Sequence, residues 1–323
     1  MPYGRTGIEN LGNTCYMAAS IQCLSHTVDL TKYYITEKYK INLDTENSNS
    51  LNEEFHSVLR NLWGNHQVVK IGNLKNLISI KMPNFRGNLQ HDPQEFIIEF
   101  LDKLHESMKF KKEFNILGDV VSNSDKLIYD SCKEYIKAFE NNYSKIVDLF
   151  YGQAHQIVVI PEVEYKSYQF PIFSSLELSI TDSCENIYDM FDHYTSIEHE
   201  VERTIEETGY STKNASKKDS LWKLPKILII SLKRFTNSME KINKHIDFPI
   251  ENLDLDKYCI DIRSKKNKYS LYGIINHYGP YGGGHYTAYC KNNGGWYEFN
   301  DSTVSEAEEI VTKNAYVLFY KRK

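Results

Sequence analysis

The apolar pattern of this chain changes period once, near Gly152, and that change constrains the fold more than any other feature. Ahead of it the spacing is helical. Met17, Ile21 and Leu24 fall on one face; Phe96, Phe100 and Leu104, with Ile97, Leu101 and Met108, hold an i, i+4 stripe; and a third helical pattern runs from about Leu127 to Leu149. Behind it the residues become β-branched or aromatic and alternate, first in 157–160 and through Phe170, Ile172, Leu176, Leu178 and Ile180. Further strands are predicted at 227–232, 269–275, 285–290, 296–299 and 315–320. A length of 323 residues would tolerate two domains. Helices that lead and strands that follow, with no tandem repeat and no clear linker, instead predict one α+β unit over residues 1–323. Residues 206–220 are charged and polar, which predicts an exposed tip or loop, and the Asn-rich stretch from Glu37 to Leu51 predicts a surface loop.

Composition narrows the class. With 41% hydrophobic and 25% charged residues the chain has the balance of a folded, soluble protein. Its apolar runs, such as 227–230, fall far short of the roughly 20 residues of a membrane span. No apolar segment follows the N-terminal Met-Pro-Tyr-Gly-Arg-Thr-Gly, so an intracellular location, cytoplasmic or nuclear, is expected, with no membrane partner. Lys+Arg at 38 against Asp+Glu at 43 gives a formal charge of -5, with no nucleic-acid footprint. The six cysteines, at 15, 23, 132, 184, 259 and 290, include no C-x-x-C pair, which argues against a disulfide framework or a Cys-rich zinc site.

Four positions suggest chemistry. Cys15 stands at the predicted N-terminus of a helix that Thr14 is placed to cap, just after the loop-like Asn10-Leu11-Gly12-Asn13; the positive end of the helix dipole favours a thiolate there. A free cysteine is nevertheless more often a structural one. His285 follows Gly282-Gly283-Gly284 at the start of a strand, where an extended substrate would find room beside the backbone, although a lone histidine is as often structural. Asn300 and Asp301 end a strand and could each orient an imidazole, or simply form a turn. Between them in the sequence, Asp92, Pro93 and Glu95 carry the N-cap, N1 and N3 signature of a helix start.

Gly7-Ile8-Glu9-Asn10-Leu11-Gly12-Asn13-Thr14-Cys15-Tyr16-Met17 resembles the cysteine box of the ubiquitin-specific proteases, and His285 to Ser302 resembles their histidine box. Gln90 to Phe96, Asn142-Tyr143-Ser144 through Phe150-Tyr151-Gly152, Leu224-Pro225 through Leu232-Lys233-Arg234-Phe235, and Tyr316-Val317-Leu318-Phe319-Tyr320 match in the same order, so the resemblance spans nearly the whole chain. It implies a papain-like cysteine protease fold with a thumb (1–149), fingers (150–222) and palm (223–323), and hydrolysis after the C-terminal Gly-Gly of ubiquitin. It further implies that Cys15 is the nucleophile, His285 the base, Asn300 or Asp301 its orienter and Asn10 an oxyanion donor. Gln90, Asp92, Tyr281, Gly283, Gly284 and Tyr286 would meet the ubiquitin tail. The implied partners are ubiquitin and ubiquitinated proteins, met by a monomer.

Two departures bear on this expectation. Many relatives hold a structural zinc with two C-x-x-C pairs at the finger tips; Ile160 and Val163, then Glu206 and Gly209, stand near those positions here, so no zinc and no other cofactor is expected. Ala18 replaces the family's usual Asn one turn beyond Cys15. Two other functions therefore compete with a deubiquitinase: a ubiquitin-binding pseudoenzyme, and a protease for a ubiquitin-like modifier.

Overall fold

The structure, a computed structural model, describes residues 3–42, 50–236, 238–261, 266–280 and 282–323. Among the described residues, seven α-helices precede the main sheets: α1 (Cys15–Ser25), α2 (Val28–Ile35), α3 (Ser50–Leu62), α4 (Gly72–Lys81), α5 (Pro93–Glu106), α6 (Asn123–Phe139) and α7 (Lys145–Phe150). An eighth, α8 (Ile187–Tyr194), interrupts the strands. The single helical pattern expected over 127–149 is two helices: α6 ends at Phe139, and after a short turn Ser144 caps α7 by accepting the N–H groups of Ile146 and Val147. Of the loop expected from Glu37 to Leu51, Lys38–Asn42 form a 3-10 turn that buries Tyr39, α3 starts at Ser50, and residues 43–49 lie outside the described residues.

Two larger sheets follow. In the eight-stranded sheet the main order is Thr303–Glu306, Gly295–Asn300, His285–Asn292, Lys268–Tyr278, Ala315–Arg322, Ile227–Lys233 and Leu176–Ser179, with Leu253–Asp254 pairing on Lys268–Tyr278. Only the pairing of Leu176–Ser179 with Ile227–Lys233 is parallel in this sheet. The five-stranded sheet runs Tyr165–Gln169, Gly152–Ile160, Tyr210–Lys223, Ile197–Ile205, with Ile172–Phe173 added beside Gly152–Ile160.

This topology changes two expectations. Residues 206–220 are a reverse turn and then most of a 14-residue strand, Tyr210–Lys223, not a loop. Its polar sequence misled because one flank of the sheet faces solvent, and cross-strand pairing with both neighbours holds the backbone without much apolar burial. The fingers span 150–222 is also discontinuous: Leu176–Ser179 and α8 leave the five-stranded sheet and join the larger one.

Three apolar clusters hold these parts. The largest packs α1, α3, α5 and α7 against one face of the eight-stranded sheet, through residues such as Met17, Phe55, Phe100, Phe150 and Phe319. The second covers the opposite face with α8, through Phe191, Leu228, Ile230 and Leu318. Alternation along Ala315–Arg322 serves both, with Val317 and Phe319 on one side and Leu318 and Tyr320 on the other. A small third cluster of Val158, Ile160, Ile205 and Ala215 closes the end of the five-stranded sheet. Helix α1 is buried along its whole length, which fixes the position of its first residue, Cys15.

Candidate active site

The loop before α1 is organised by one side chain. Asn10 Oδ1 accepts from the N–H of Gly12 at 2.9 Å, and from the N–H and hydroxyl of Thr14, both at 3.3 Å. The chain then turns through positive φ at Gly12 (93°) and Asn13 (52°), conformations that glycine and asparagine tolerate. Thr14 occupies the N-cap position but does not cap with its side chain: its hydroxyl accepts the Leu11 N–H at 2.9 Å and donates to Asn10 instead. The first bond of α1 runs from Ala18 N to Thr14 O, so the N–H groups of the opening turn, Cys15 included, have no partner within the helix. The Cys15 thiol is therefore set at an electropositive helix end, only 3% exposed. Ala18 is buried in apolar packing one turn on.

His285 and Asn300 are the first and last residues of paired strands. With Ala288 opposite Phe299, the two residues sit diagonally on one face of the hairpin. Their side chains meet there: His285 Nε2 lies 2.7 Å from Asn300 Oδ1. An amide oxygen only accepts, so Nε2 carries the hydrogen and Nδ1 keeps its lone pair. Asp301 Oδ2 is 4.0 Å from the same nitrogen, beyond hydrogen-bond reach. It accepts from Asn10 Nδ2 at 2.9 Å, and the Asp301 carbonyl accepts the Ile8 N–H at 2.8 Å. Of the two expected orienters, Asn300 contacts the imidazole, and Asp301 ties the cysteine loop to the histidine hairpin. One amide hydrogen of Asn10 is thus committed to Asp301, and one is left.

Gln90 joins the two halves. Its Nε2 donates to Gly284 O at 2.6 Å and lies 3.6 Å from Cys15 Sγ, so a single amide touches the thiol and the residue before His285. Beside it lies a cavity of about 360 Å³ lined by Gln90, Asp92, Phe235, His277, Tyr286 and Tyr316 among others. Asp92 caps α5 as expected, accepting from Gln94 N at 2.6 Å and Glu95 N at 3.3 Å. Its second oxygen accepts the hydroxyl of Tyr316. Burial raises the Asp92 carboxyl above its usual range, and these hydrogen bonds oppose that shift.

Glycine is required at Gly284 by its φ of 127° and because a Cβ would come within 2.8 Å of His277 Nε2, whereas a Cβ at Gly283 would meet nothing within 4 Å. Tyr281 lies outside the described residues.

His277, Phe235 and Tyr316 had no individual signal in the sequence. His277 is buried beneath the glycine loop, its ring 4.7 Å from that of Tyr286. Burial, and then the Lys241 ammonium, lower its pKa to about 4. With Nδ1 unpartnered and its pKa lowered by burial, His277 is a neutral floor to the loop and not a second base. The adjacent Asn276-His277-Tyr278-Gly279, running into the glycines, was the only available hint.

At the finger tip, Ile160 packs in the third apolar cluster, Val163 lies in a 3-10 turn and Glu206 and Gly209 in the turn before Tyr210. One carboxylate in four positions does not fit zinc, which takes four N or S donors in structural sites. Among the described residues no group of three His, Cys, Asp or Glu is placed to hold a metal, and no helix is long and apolar enough to cross a membrane.

The family model "Ubiquitin carboxyl-terminal hydrolase" matches residues 6–320. The chain is similar to ubiquitin carboxyl-terminal hydrolase 2 of Bos taurus, at 32% identity over 98% of this chain and 55% of the relative. It is similar as well to ubiquitin carboxyl-terminal hydrolase Usp2 of Drosophila melanogaster, at 32% over 99% of this chain and 35% of the relative. It therefore spans about half or less of the length of these two relatives. Among solved structures, it resembles a chain of the SAGA DUB module of Ubp8, Sgf11, Sus1 and Sgf73 bound to monoubiquitin, with a TM-score of 0.77 and 25% identity over 100% of this chain and 70% of that one. A buried cysteine at a helix start, a histidine bonded to an asparagine and a family match across both place this chain in the ubiquitin carboxyl-terminal hydrolase family, of the ubiquitin-specific protease type with a papain-like fold.

Proposed function

We propose that this chain is a thiol-dependent deubiquitinase that hydrolyses the isopeptide or peptide bond after the C-terminal glycine of ubiquitin. The observation that carries the reading is the Gln90 amide, which touches Cys15 Sγ and the carbonyl next to His285 while Asn300 holds the far nitrogen of that histidine. Asn300 fixes the tautomer that leaves His285 Nδ1 free to take the thiol proton. Cys15 attacks the carbonyl carbon, and the oxyanion is met by the remaining Asn10 amide hydrogen and the unbonded N–H groups of the opening turn of α1. The imidazolium then protonates the departing lysine amine. In the second half, His285 deprotonates a water, which attacks the thioester, and the proton returns to the Cys15 sulfur as ubiquitin leaves with a free carboxylate.

The substrate tail would enter through the cavity between Asp92 and Tyr286, displacing the Gln90 bond to Gly284. The bovine and fly relatives' names and the ubiquitin-bound SAGA structure support ubiquitin as the partner. A monomeric, zinc-free, intracellular enzyme without a nucleic-acid partner completes the reading, supported by the formal charge of -5 and the poor donor set at the finger tip. The test is turnover of a ubiquitin–fluorophore reporter, and labelling by ubiquitin bearing a C-terminal thiol trap. Both are expected with the wild type and absent in Cys15→Ala. A folded wild type that binds ubiquitin but neither turns over nor labels would be a pseudoenzyme. Turnover confined to a ubiquitin-like reporter would change the modifier.

A further inference from the structure

Lys75 lies on α4, away from every motif that the sequence marks as functional. Among the described residues no carboxylate lies within ion-pair distance of it. Its ammonium instead donates to Asn88 Oδ1 at 2.7 Å and approaches Leu11 O at 3.4 Å. Leu11 belongs to the loop that leads to Cys15, and Asn88 to the segment that leads to Gln90. A second link joins the same two segments, from Asn13 Nδ2 to Asn88 O at 2.8 Å. Asn88 thus accepts twice, with its side chain from α4 and with its backbone from the cysteine loop.

The Leu11–Gly12 peptide unit is held at both ends: its oxygen faces Lys75, and its N–H donates to Asn10 Oδ1 at 2.9 Å. Such a hold matters at this point in the chain. Gly12, at φ 93°, gives the backbone freedom to rotate this peptide plane with little steric penalty, and Asn13 follows in the left-handed region. A rotated peptide would move the Asn10 side chain and redirect the backbone N–H groups ahead of the thiol. Two residues beyond Asn88, Gln90 reaches Cys15 Sγ and Gly284 O, so the second segment also ends on the reacting group.

Resting on the deubiquitinase reading, we propose that Lys75 is a positioning residue, whose ammonium locks the Asn10–Thr14 loop to the segment carrying Gln90 and so holds the donors that meet the oxyanion. It touches no substrate. It acts on the transition state through Asn10 and the loop backbone, and misplacement of such donors by a fraction of an ångström lowers the chemical step more than substrate binding.

The experiment compares wild type, Lys75→Met and Lys75→Arg in the 323-residue chain, by steady-state turnover of the ubiquitin reporter, thermal unfolding, and amide hydrogen exchange over residues 11–14. Met keeps the length of the side chain without the donors; Arg keeps the charge and the donors. The expected result for Lys75→Met is a kcat about tenfold lower, a KM within about twofold, unfolding within a few degrees of wild type, and faster exchange in the loop. Lys75→Arg is expected to recover most of the kcat and of the exchange protection. Unchanged kcat, unchanged exchange, or a kcat loss that follows global destabilisation and is equally present in Lys75→Arg would each overturn the proposal. Should the wild type itself fail to turn over ubiquitin, the functional reading falls, and the exchange comparison alone decides whether Lys75 holds the loop.

Discussion

Asn300 and Asp301 are neighbours with similar side chains, and distance separates their roles: 2.7 Å from His285 Nε2 for one, 4.0 Å for the other. Hydrogen bonds weaken steeply beyond about 3.2 Å, so only Asn300 sets the tautomer directly. Asp301, at φ 50°, turns the chain away from the strand so that its carboxylate points to Asn10. In reporter turnover, Asn300→Ala is expected to lower kcat about 100-fold, in the range of a lost acid–base arrangement. Asp301→Ala, which loosens Asn10 and leaves the imidazole bonded, is expected to cost about tenfold in kcat, with little change in KM. Equal losses in the two variants would return Asp301 to the role of orienter. Both residues stood out in the sequence, but their division of labour did not, since it depends on the register of a hairpin and a bond across to residue 10.

At the scale of elements, the strand ending at Lys233 is anchored by the residue after it. Arg234 is fully buried, and its Nη1 donates to Ile242 O at 3.0 Å and Lys244 O at 2.8 Å, while its Nε donates to Ala315 O. Burial lowers its pKa to about 10, so it remains charged at neutral pH. Three carbonyls from two other segments depend on this one cation, close beneath Phe235 and the cavity beside Gln90. Arg234→Met leaves the buried Ala315 carbonyl and the half-buried Ile242 and Lys244 carbonyls without this donor and is expected to cost about 2 kcal/mol in urea denaturation. A change below about 0.5 kcal/mol would mean that these carbonyls find other partners. The sequence marked this segment only as a match to the family; the buried cation had no signal, because a Lys-Arg pair after a strand ordinarily reads as solvated. At the finger tip, the strand pairing and the Val158–Ile160–Ile205–Ala215 cluster lead to the expectation that melting is the same with and without EDTA, and that elemental analysis finds no stoichiometric zinc. A melting point that falls with chelator would contradict this.

Across the whole molecule, buried histidines link stability to pH. His26, at the end of α1, accepts or donates only within the core, with Nδ1 2.8 Å from Gln22 O, and burial lowers its pKa to about 4. His277 is lowered to about 4 by burial and by Lys241. Both are neutral in the fold, whereas the unfolded chain takes up protons at these residues below about pH 6.5. The unfolded state therefore binds more protons as pH drops, and stability falls with it from about pH 6.5 towards 4. The expected slope is about 1.4 kcal/mol per pH unit for each histidine once it is well below pH 6.5. Urea denaturation at pH 7 and pH 5 measures it, and His277→Gln should lower the slope; a flat profile would show that the folded protein accommodates both protonated rings.

By itself the sequence determined that helices lead and strands follow, the family, and the helix that opens at Cys15 and the strand that opens at His285, because periodicity, capping signals and short motifs are local in the chain. Asp92 could be read as the cap of α5 for the same reason. Tertiary structure alone decided that residues 210–223 form a strand, since polar residues gain their partners only from the neighbouring strands. It alone decided that Asn300 and not Asp301 meets His285, that Tyr316 occupies the second oxygen of Asp92, and that Lys75 reaches the cysteine loop. Each of these contacts joins residues far apart in sequence, and a hydrogen bond is set by tenths of an ångström, which only the packed three-dimensional arrangement fixes.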